Sequence, residues 1–107
     1  MRQLDVYMNN LIVGRLSEDT PGKGYRFEYD PDYIKSNLPA ISVLFPRSGV
    51  AFSSEKLFPF FVNMLPEGAN KRMVCNKFKI DENDTFGLLY HMADADFIGA
   101  VGFKQIL

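Results

Sequence analysis

The sequence has no tryptophan, one cysteine and one histidine among its 107 residues. Because Cys75 is alone, an intrachain disulfide and a cysteine-based metal cluster are excluded, and the cysteine usage fits a reducing compartment. His91 has only Asp94 and Asp96 near it in the sequence, with no second histidine and no nearby cysteine. We therefore predict no metal site, no histidine-based catalytic centre and no cofactor.

The sequence also lacks an excess of charge of one sign and a long apolar run. Twelve Lys and Arg stand against thirteen Asp and Glu, a net charge of −1, which disfavours direct binding of nucleic acid. Residues 57–65, the longest apolar stretch, are interrupted by Pro59 and Asn63 and span about half the roughly 20 residues of a membrane helix. Asp5 breaks the apolar run that a signal peptide needs. We expect a cytoplasmic protein that does not contact a membrane.

The length allows one domain, residues 1–107, with a single modest core. Strands are predicted at residues 4–8 and 11–16, joined by a two-residue hairpin turn at Asn9-Asn10, because asparagine tolerates positive φ. In an uninterrupted pairing both faces of this hairpin are largely apolar, so the second face needs a cover from helices or from a partner. The two sets are Leu4, Val6, Met8, Leu11 and Val13 on one face, and Tyr7, Ile12, Gly14 and Leu16 on the other.

The remaining pattern predicts further strands at residues 25–29, 41–45 and 98–106, with loops at 17–24 and 47–54. A helical turn is expected at residues 32–37, with Asp30 as its cap and Pro31 in its first position. Three helices follow: residues 57–65, residues 66 to about 78 opened by Pro66, and one from Asp84 as N-cap. Strands first, helices next and a strand last predict an α+β domain, a small mostly antiparallel sheet with about three helices packed on it.

One basic concentration stands out in the second of these helices. It comprises Lys71, Arg72, Lys77 and Lys79. These side chains could contact phosphates, or they could be a solvated helix face whose cations complement the helix dipole.

The junction between the first two helices carries a proline, a carboxylate and a glycine. Pro66 ends the first helix, and together with Gly68 it would aim Glu67 outward at a fixed angle. A tight helix–helix corner with a capping glutamate is the alternative to an interaction role.

Several segments in this order and spacing resemble the N-terminal subdomain of the HipA family over nearly the whole chain. They are Tyr7-Met8-Asn9-Asn10, Val13-Gly14-Arg15-Leu16, Phe27-Glu28-Tyr29 with Pro31 and Tyr33, Ile41-Ser42-Val43, Phe60-Phe61-Val62-Asn63-Met64-Leu65-Pro66-Glu67-Gly68, Asp84-Thr85-Phe86-Gly87-Leu88-Leu89 and Asp96-Phe97-Ile98-Gly99-Ala100-Val101. Members of this family are serine/threonine kinase toxins regulated by a helix-turn-helix antitoxin, HipB.

The resemblance implies a subunit and not an enzyme, because the family's catalytic residues, nucleotide loop and metal ligands lie in the kinase core, which has no match here. In split HipA systems the subdomain is a separate small protein, HipS-like, that associates with the kinase polypeptide and can restrain it. Some stand-alone inhibitory members carry a tryptophan after the corner, where this chain has Ala69. Restraining the kinase and completing a split kinase are both compatible with these residues.

We therefore predict a non-catalytic regulatory or structural subunit whose partner is a HipA-like kinase polypeptide, with a HipB-like protein as a second expected partner. The predicted partner-binding residues are Met64, Leu65, Pro66, Glu67, Gly68 and Asn70. The methionine and leucine would supply apolar anchors, and Glu67 a directional hydrogen bond. The alternatives are a nucleic-acid accessory that uses the four basic residues and a module that self-associates through its uncovered sheet face.

Overall fold

The structure of the chain is a computed structural model that describes residues 2–20, 22–42, 45–46, 51–65, 67–93 and 101–106. Its elements are β1 (Arg2–Met8), β2 (Leu11–Thr20), β3 (Lys23–Tyr29), α1 (Pro31–Lys35), β4 (Phe52–Ser54), α2 (Pro59–Val62), α3 (Gly68–Phe78), α4 (Thr85–His91) and β5 (Val101–Ile106). The five strands form one antiparallel sheet in the order β4-β3-β2-β1-β5. The predicted α+β class is confirmed, with four helices in the described residues instead of three.

The turn between β1 and β2 is the predicted two-residue hairpin. Asn9 and Asn10 have φ values of 52° and 67°, both in the left-handed region that a type I′ turn requires. Asparagine adopts this region at low cost because its short polar side chain can hydrogen-bond locally. The turn prediction is therefore confirmed for a physical reason that lies within these two residues.

The pairing of β1 with β2 contains a β-bulge that the sequence did not reveal. Val6 lies opposite Gly14, whereas Tyr7 lies opposite Ile12, so Val13 is the extra residue. Such an insertion changes which side chains share a face on its far side. The bulge is tight at Gly14, where an added Cβ would lie 2.3 Å from a backbone oxygen of β3.

The bulge brings Leu16 opposite Leu4, on the side of the sheet that faces the core. Leu4, Val6, Val13 and Leu16 are all fully buried there. The prediction that Gly14 and Leu16 belong to the second face is therefore wrong, because it assumed an uninterrupted register.

The second face of the sheet is charged. Lys104, Asp5, Arg15 and Glu28 are consecutive cross-strand neighbours on β5, β1, β2 and β3. Arg15 Nε lies 3.7 Å from Asp5 Oδ1, and Arg26 Nη2 lies 2.7 Å from Glu28 Oε2. Tyr7 and Ile12 of the predicted apolar set remain on this face, but the row of charged side chains makes it less apolar than predicted. Self-association through a largely apolar sheet face therefore loses its basis.

The third strand and the first helix follow the sequence signals closely. In β3 the alternating residues Tyr25, Phe27 and Tyr29 are buried, as a strand with one face on the core requires. The Asp30 side chain accepts a hydrogen bond from Asp32 N and caps α1 as predicted.

The segment between α1 and α2 departs from the prediction. In place of a strand at residues 41–45, the described part holds one isolated bridge between Ser42 and Phe45, and residues 43–44 lie outside the described residues. The strand in this region is β4, inside the predicted loop, where Phe52 pairs with Phe27 of β3. The predicted loop at residues 47–54 is therefore wrong at residues 52–54, where β4 lies.

The predicted helices are present. α2 begins at Pro59 but has only four α-helical residues, and Asp84 caps α4 by accepting from Gly87 N. α3 begins at Gly68, two residues later than the predicted start at Pro66, because Glu67 is extended and forms the N-cap. The first residues of the predicted closing strand, 98–100, lie outside the described residues.

The core is rich in aromatic rings, which cluster around Phe61 of α2, a fully buried residue. Its ring centroid lies 5.1 to 5.9 Å from those of Phe27, Phe45, Phe60 and Phe103. Aromatic pairs at such distances add to the stabilisation from buried area. The helix α2 is therefore held mainly by tertiary packing and little by its own hydrogen bonds.

Candidate functional site

The corner between α2 and α3 combines a turn with a sharp change in backbone conformation. Leu65 N donates to Val62 O at 3.1 Å and continues α2 as a turn. Glu67 is extended, with φ −124° and ψ 162°, and Gly68 has φ +59°. Pro66 lies outside the described residues.

The glycine of this corner is required by its backbone angle. An added Cβ at Gly68 would meet nothing within 4 Å, yet its φ lies in the left-handed region that other residues adopt at a cost. Gly68 therefore fixes the direction in which α3 leaves the corner without filling any space in it.

The predicted partner-binding residues divide into two groups. Glu67, Gly68 and Asn70 are exposed at the start of α3. Leu65 is buried in the core and Met64 is half-buried against it, so the predicted apolar anchors are directed largely to this domain's own interior. Side-chain burial depends on tertiary packing, which the local sequence of the corner does not reveal.

Glu67 occupies the N-cap position of α3, but its side chain makes no capping hydrogen bond. The alternative role of a capping glutamate is therefore not what the structure shows. An exposed carboxylate without a capping partner can accept a hydrogen bond from another molecule.

The four basic residues do not share one face of α3. Arg72, Lys77 and Lys79 are exposed and Lys71 is half-buried. Because successive helical residues turn by about 100°, Lys77 lies about 240° round the helix from Lys71. Lys79 follows the helix as its left-handed C-cap, with φ 54°.

The helix α3 is little packed against the rest of the domain. Of its eleven residues only Cys75 is buried. Met73 is 63% exposed and Phe78 is 48% exposed. An amphipathic helix of a soluble domain normally buries three to four apolar residues in every two turns. The helix α3 buries fewer and leaves two large apolar side chains exposed to solvent.

The sequence did not predict a buried polar network that joins the first three strands to the start of α4. Glu18, only 1% exposed, accepts hydrogen bonds from Arg2 Nε at 2.8 Å, Gly22 N at 3.0 Å and Tyr25 Oη at 3.1 Å. The other guanidinium nitrogens of Arg2 donate to Asp84 at 2.8 and 3.1 Å. The prediction ended β2 at residue 16 and thereby placed Glu18 in a loop.

The pKa values in this network follow from its burial and its hydrogen bonds. Burial, with the hydrogen bond to Glu18, raises the pKa of Tyr25 to about 12. The hydrogen bond from Arg2 lowers the pKa of Asp84, with a further contribution from Gly87 N. Both oxygens of each carboxylate accept hydrogen bonds, so the network ties the start of α4 to the hairpin of β1 and β2.

The described residues contain no group of three or more His, Cys, Asp or Glu side chains that could hold a metal ion. His91 is exposed in the last turn of α4. A groove of about 830 Å³ beside β2, β3 and β4 is lined by charges of both signs, including Asp19, Lys23, Arg26 and Glu55. No helix within these described ranges has the length and apolarity to span a membrane.

Two relatives differ in how much of their length the chain matches. An uncharacterized protein of Haemophilus influenzae is 33% identical over 105 residues, which cover 98% of this chain and 93% of that protein. The serine/threonine-protein kinase toxin HipA of Shewanella oneidensis is 27% identical over 100 residues, 94% of this chain but only 22% of the toxin.

Solved structures agree with these sequence relatives. A structure described as the N-terminal domain of HipA toxin superposes with a TM-score of 0.73 at 29% identity, covering 100% of this chain and 94% of that one. A chain in the Shewanella oneidensis complex of HipA, HipB and operator DNA also has a TM-score of 0.73, at 25% identity, covering 94% of this chain and 23% of that one.

The family model described as the HipA N-terminal domain matches residues 4–104, nearly the whole chain. The resemblance drawn from the sequence is thereby confirmed, and the chain belongs to the HipA N-terminal domain family.

Proposed function

We propose that this chain is a non-catalytic subunit that docks onto a separately encoded HipA-like kinase polypeptide through the corner and α3. The observation that carries this proposal is the packing of α3, which buries one of its eleven residues while two of its large apolar side chains stay about half exposed or more. Exposed apolar side chains on an otherwise unburied helix are typical of an interaction surface.

The comparisons support a subunit over a catalyst. The Haemophilus relative is matched over 93% of its length, so a protein of little more than this domain occurs in the family. The match to the Shewanella kinase toxin covers 22% of that protein, and the rest of it has no counterpart in these 107 residues. A binding role needs only a surface, whereas phosphoryl transfer needs a complete set of phosphate- and metal-binding groups.

At the corner, Glu67 and Asn70 are the groups we expect to contact the kinase polypeptide. Both are exposed, and the Glu67 carboxylate makes no capping hydrogen bond that it would have to give up. A hydrogen bond to a charged group is stronger than a neutral one and strongly directional. Gly68 holds these groups in place, and half-buried Met64 adds a smaller apolar contact.

A HipB-like helix-turn-helix protein is the second partner that we expect, and the cytoplasm the expected compartment. The support is that a chain of the Shewanella complex of HipA, HipB and operator DNA matches this one in structure. In this proposal the chain reaches such an assembly through its kinase polypeptide.

Co-expression with the HipA-like kinase polypeptide of the same genome, followed by size-exclusion chromatography, tests the proposal. We expect one complex at micromolar concentration, and Glu67→Ala to weaken it about tenfold, equivalent to roughly 1.4 kcal/mol. Glu82→Ala, which removes another exposed carboxylate, is the matched control and should bind as wild type. Separate elution of the two wild-type proteins would overturn the proposal. If a complex forms, a phosphorylation assay with and without this chain distinguishes restraint of the kinase from completion of it.

A further inference from the structure

Charge is segregated on α3 and the residue that follows it. Residues 68–79 contain Lys71, Arg72, Lys77 and Lys79 and no acidic residue, a charge of +4. Elsewhere in the chain eight Lys and Arg stand against thirteen Asp and Glu, which gives −5. The ion pairs of the described residues include none of the four cations.

The helix dipole explains only part of this segregation. Lys77 and Lys79 lie at the C-terminal end of α3, where a cation is stabilised. Lys71 and Arg72 lie in the N-terminal half, where the dipole gives a cation no stabilisation. Within the described ranges, neither the dipole nor an ion pair accounts for the cations of that half.

The solvent face of α3 is formed by Ala69, Arg72, Met73, Asn76 and Lys77. The first four fall at the i, i+3, i+4 and i+7 positions of one helical face, Lys77 is adjacent to them, and all five are exposed. Met73, at the centre, is 63% exposed. The buried and half-buried residues Lys71, Val74 and Cys75 lie on the opposite face.

We propose that the solvent face of α3 recognises an acidic surface of the kinase polypeptide that contains an apolar socket for Met73. This inference rests on the proposed function and specifies the chemistry of its partner. Charges around the rim of an interface steer association, and a buried central side chain slows dissociation. Methionine suits a socket of irregular shape because its side chain is unbranched and polarisable.

The same observations favour a protein surface over nucleic acid. Phosphate groups would pair with Arg72 and Lys77 but would leave Met73 exposed to water. An acidic protein surface with an apolar socket satisfies the cations and buries the methionine together. The negative charge of the remaining chain also repels a polyanion more than it repels a single acidic patch.

The test measures binding of the full chain to the HipA-like kinase polypeptide of the same genome over a range of salt concentrations. The double variant Arg72→Glu, Lys77→Glu should bind at least about tenfold more weakly at low salt, mainly through slower association. Met73→Ala should bind about tenfold more weakly through faster dissociation, with the salt dependence of wild type. The neutral pair Arg72→Gln, Lys77→Gln provides a milder second test if the charge reversal impairs folding.

Two controls match these variants. Lys35→Glu, Lys56→Glu makes the same change of net charge at exposed residues outside α3, and Leu11→Ala truncates another exposed apolar side chain. Both should bind within about twofold of wild type, since exposed positions outside an interface contribute little to affinity.

The outcomes separate this inference from the proposed function. If wild type does not bind the kinase polypeptide, both fail. If wild type binds, Glu67→Ala weakens it and the α3 variants match their controls, the solvent face of α3 is not the recognition surface. This inference is then overturned, while docking on the kinase polypeptide stands through the corner alone. If the α3 charge reversal abolishes binding to duplex DNA and leaves kinase binding intact, the surface binds nucleic acid and the inference is again overturned.

Discussion

The sheet with α4 and the helix α3 differ in how far their side chains are buried by the rest of the domain. In the first, Glu18 and the residues that surround it are linked by hydrogen bonds, and the core-facing side chains of β1, β2 and β3 are buried. In the second, one side chain of eleven is buried. Folding therefore constrains the sequence of the first region tightly and that of α3 loosely, which leaves the exposed positions of α3 available for the contact proposed above.

The largest difference between the two regions should appear on truncation of an apolar side chain. Phe61→Ala should lower the free energy of unfolding by about 4 kcal/mol, because the ring is fully buried among other aromatic rings. Met73→Ala should change it by less than about 0.5 kcal/mol, because the side chain is exposed. Urea denaturation followed by circular dichroism measures both, and a loss above about 1 kcal/mol for Met73→Ala would contradict the contrast.

The buried network provides the next effect. Arg2→Met should lower the free energy of unfolding by about 3 kcal/mol, because it leaves the buried Glu18 carboxylate without its cationic partner. The matched control is Arg15→Met on the charged outer face, where the arginine is 55% exposed and the loss should stay below about 1 kcal/mol. Equal losses for the two variants would show that Arg2 is no more important than a surface ion pair.

Alkaline titration examines the same network by another route. The pKa of Tyr25 is raised from 10.0 to about 12 in the folded protein, so the folded state binds this proton more tightly than the unfolded state. The resulting stability is present below pH 10 and is lost as the pH rises toward 12, by about 2 kcal/mol.

Denaturation at a series of alkaline pH values measures this loss, which Tyr25→Phe should remove and Tyr7→Phe should leave unchanged. A Tyr25→Phe variant with the same alkaline loss as wild type would contradict the assignment. On the acid side the sign is reversed. The pKa of Asp84 is lowered, so its stabilising contribution is lost as the pH falls below the ordinary value of 3.8.

The smallest effect is expected at the corner. Gly68→Ala should lower the free energy of unfolding by about 1 kcal/mol, because the left-handed backbone is unfavourable for alanine although no atom blocks its Cβ. Gly102→Ala is the control, with an equally open Cβ position and a φ outside the left-handed region. The free energy of unfolding of Gly102→Ala, measured by thermal denaturation, should stay within about 0.5 kcal/mol of wild type. Equal losses for the two variants would show that the backbone angle of Gly68 is not the cause.

The features predicted correctly from the sequence depend on a few neighbouring residues. The Asn9-Asn10 turn, the Asp30 cap and the Asp84 cap each follow from the conformational preference or hydrogen-bonding of one side chain. The exposed Glu67 at a helix–helix corner belongs to the same class, because the corner itself is a local feature.

The features that were missed depend on residues distant in the sequence. The bulge at Val13 has no mark in its own strand, and it reversed the predicted side of Leu16. The network around Glu18 needs Arg2 and Asp84, which are 82 positions apart. The candidate surface was likewise only partly predictable, because the burial of Leu65 and the exposure of Met73 are set by how α2 and α3 lie on the sheet.

The position of β1 in the sheet determines when the domain can assemble during protein synthesis. This strand is the first to leave the ribosome, yet it lies between β2 and β5, the last of the described strands. A nascent chain therefore carries an incomplete sheet, with one open edge on β1, until residues 101–106 emerge. The five-stranded sheet can therefore be completed only after the last of its strands has been synthesised.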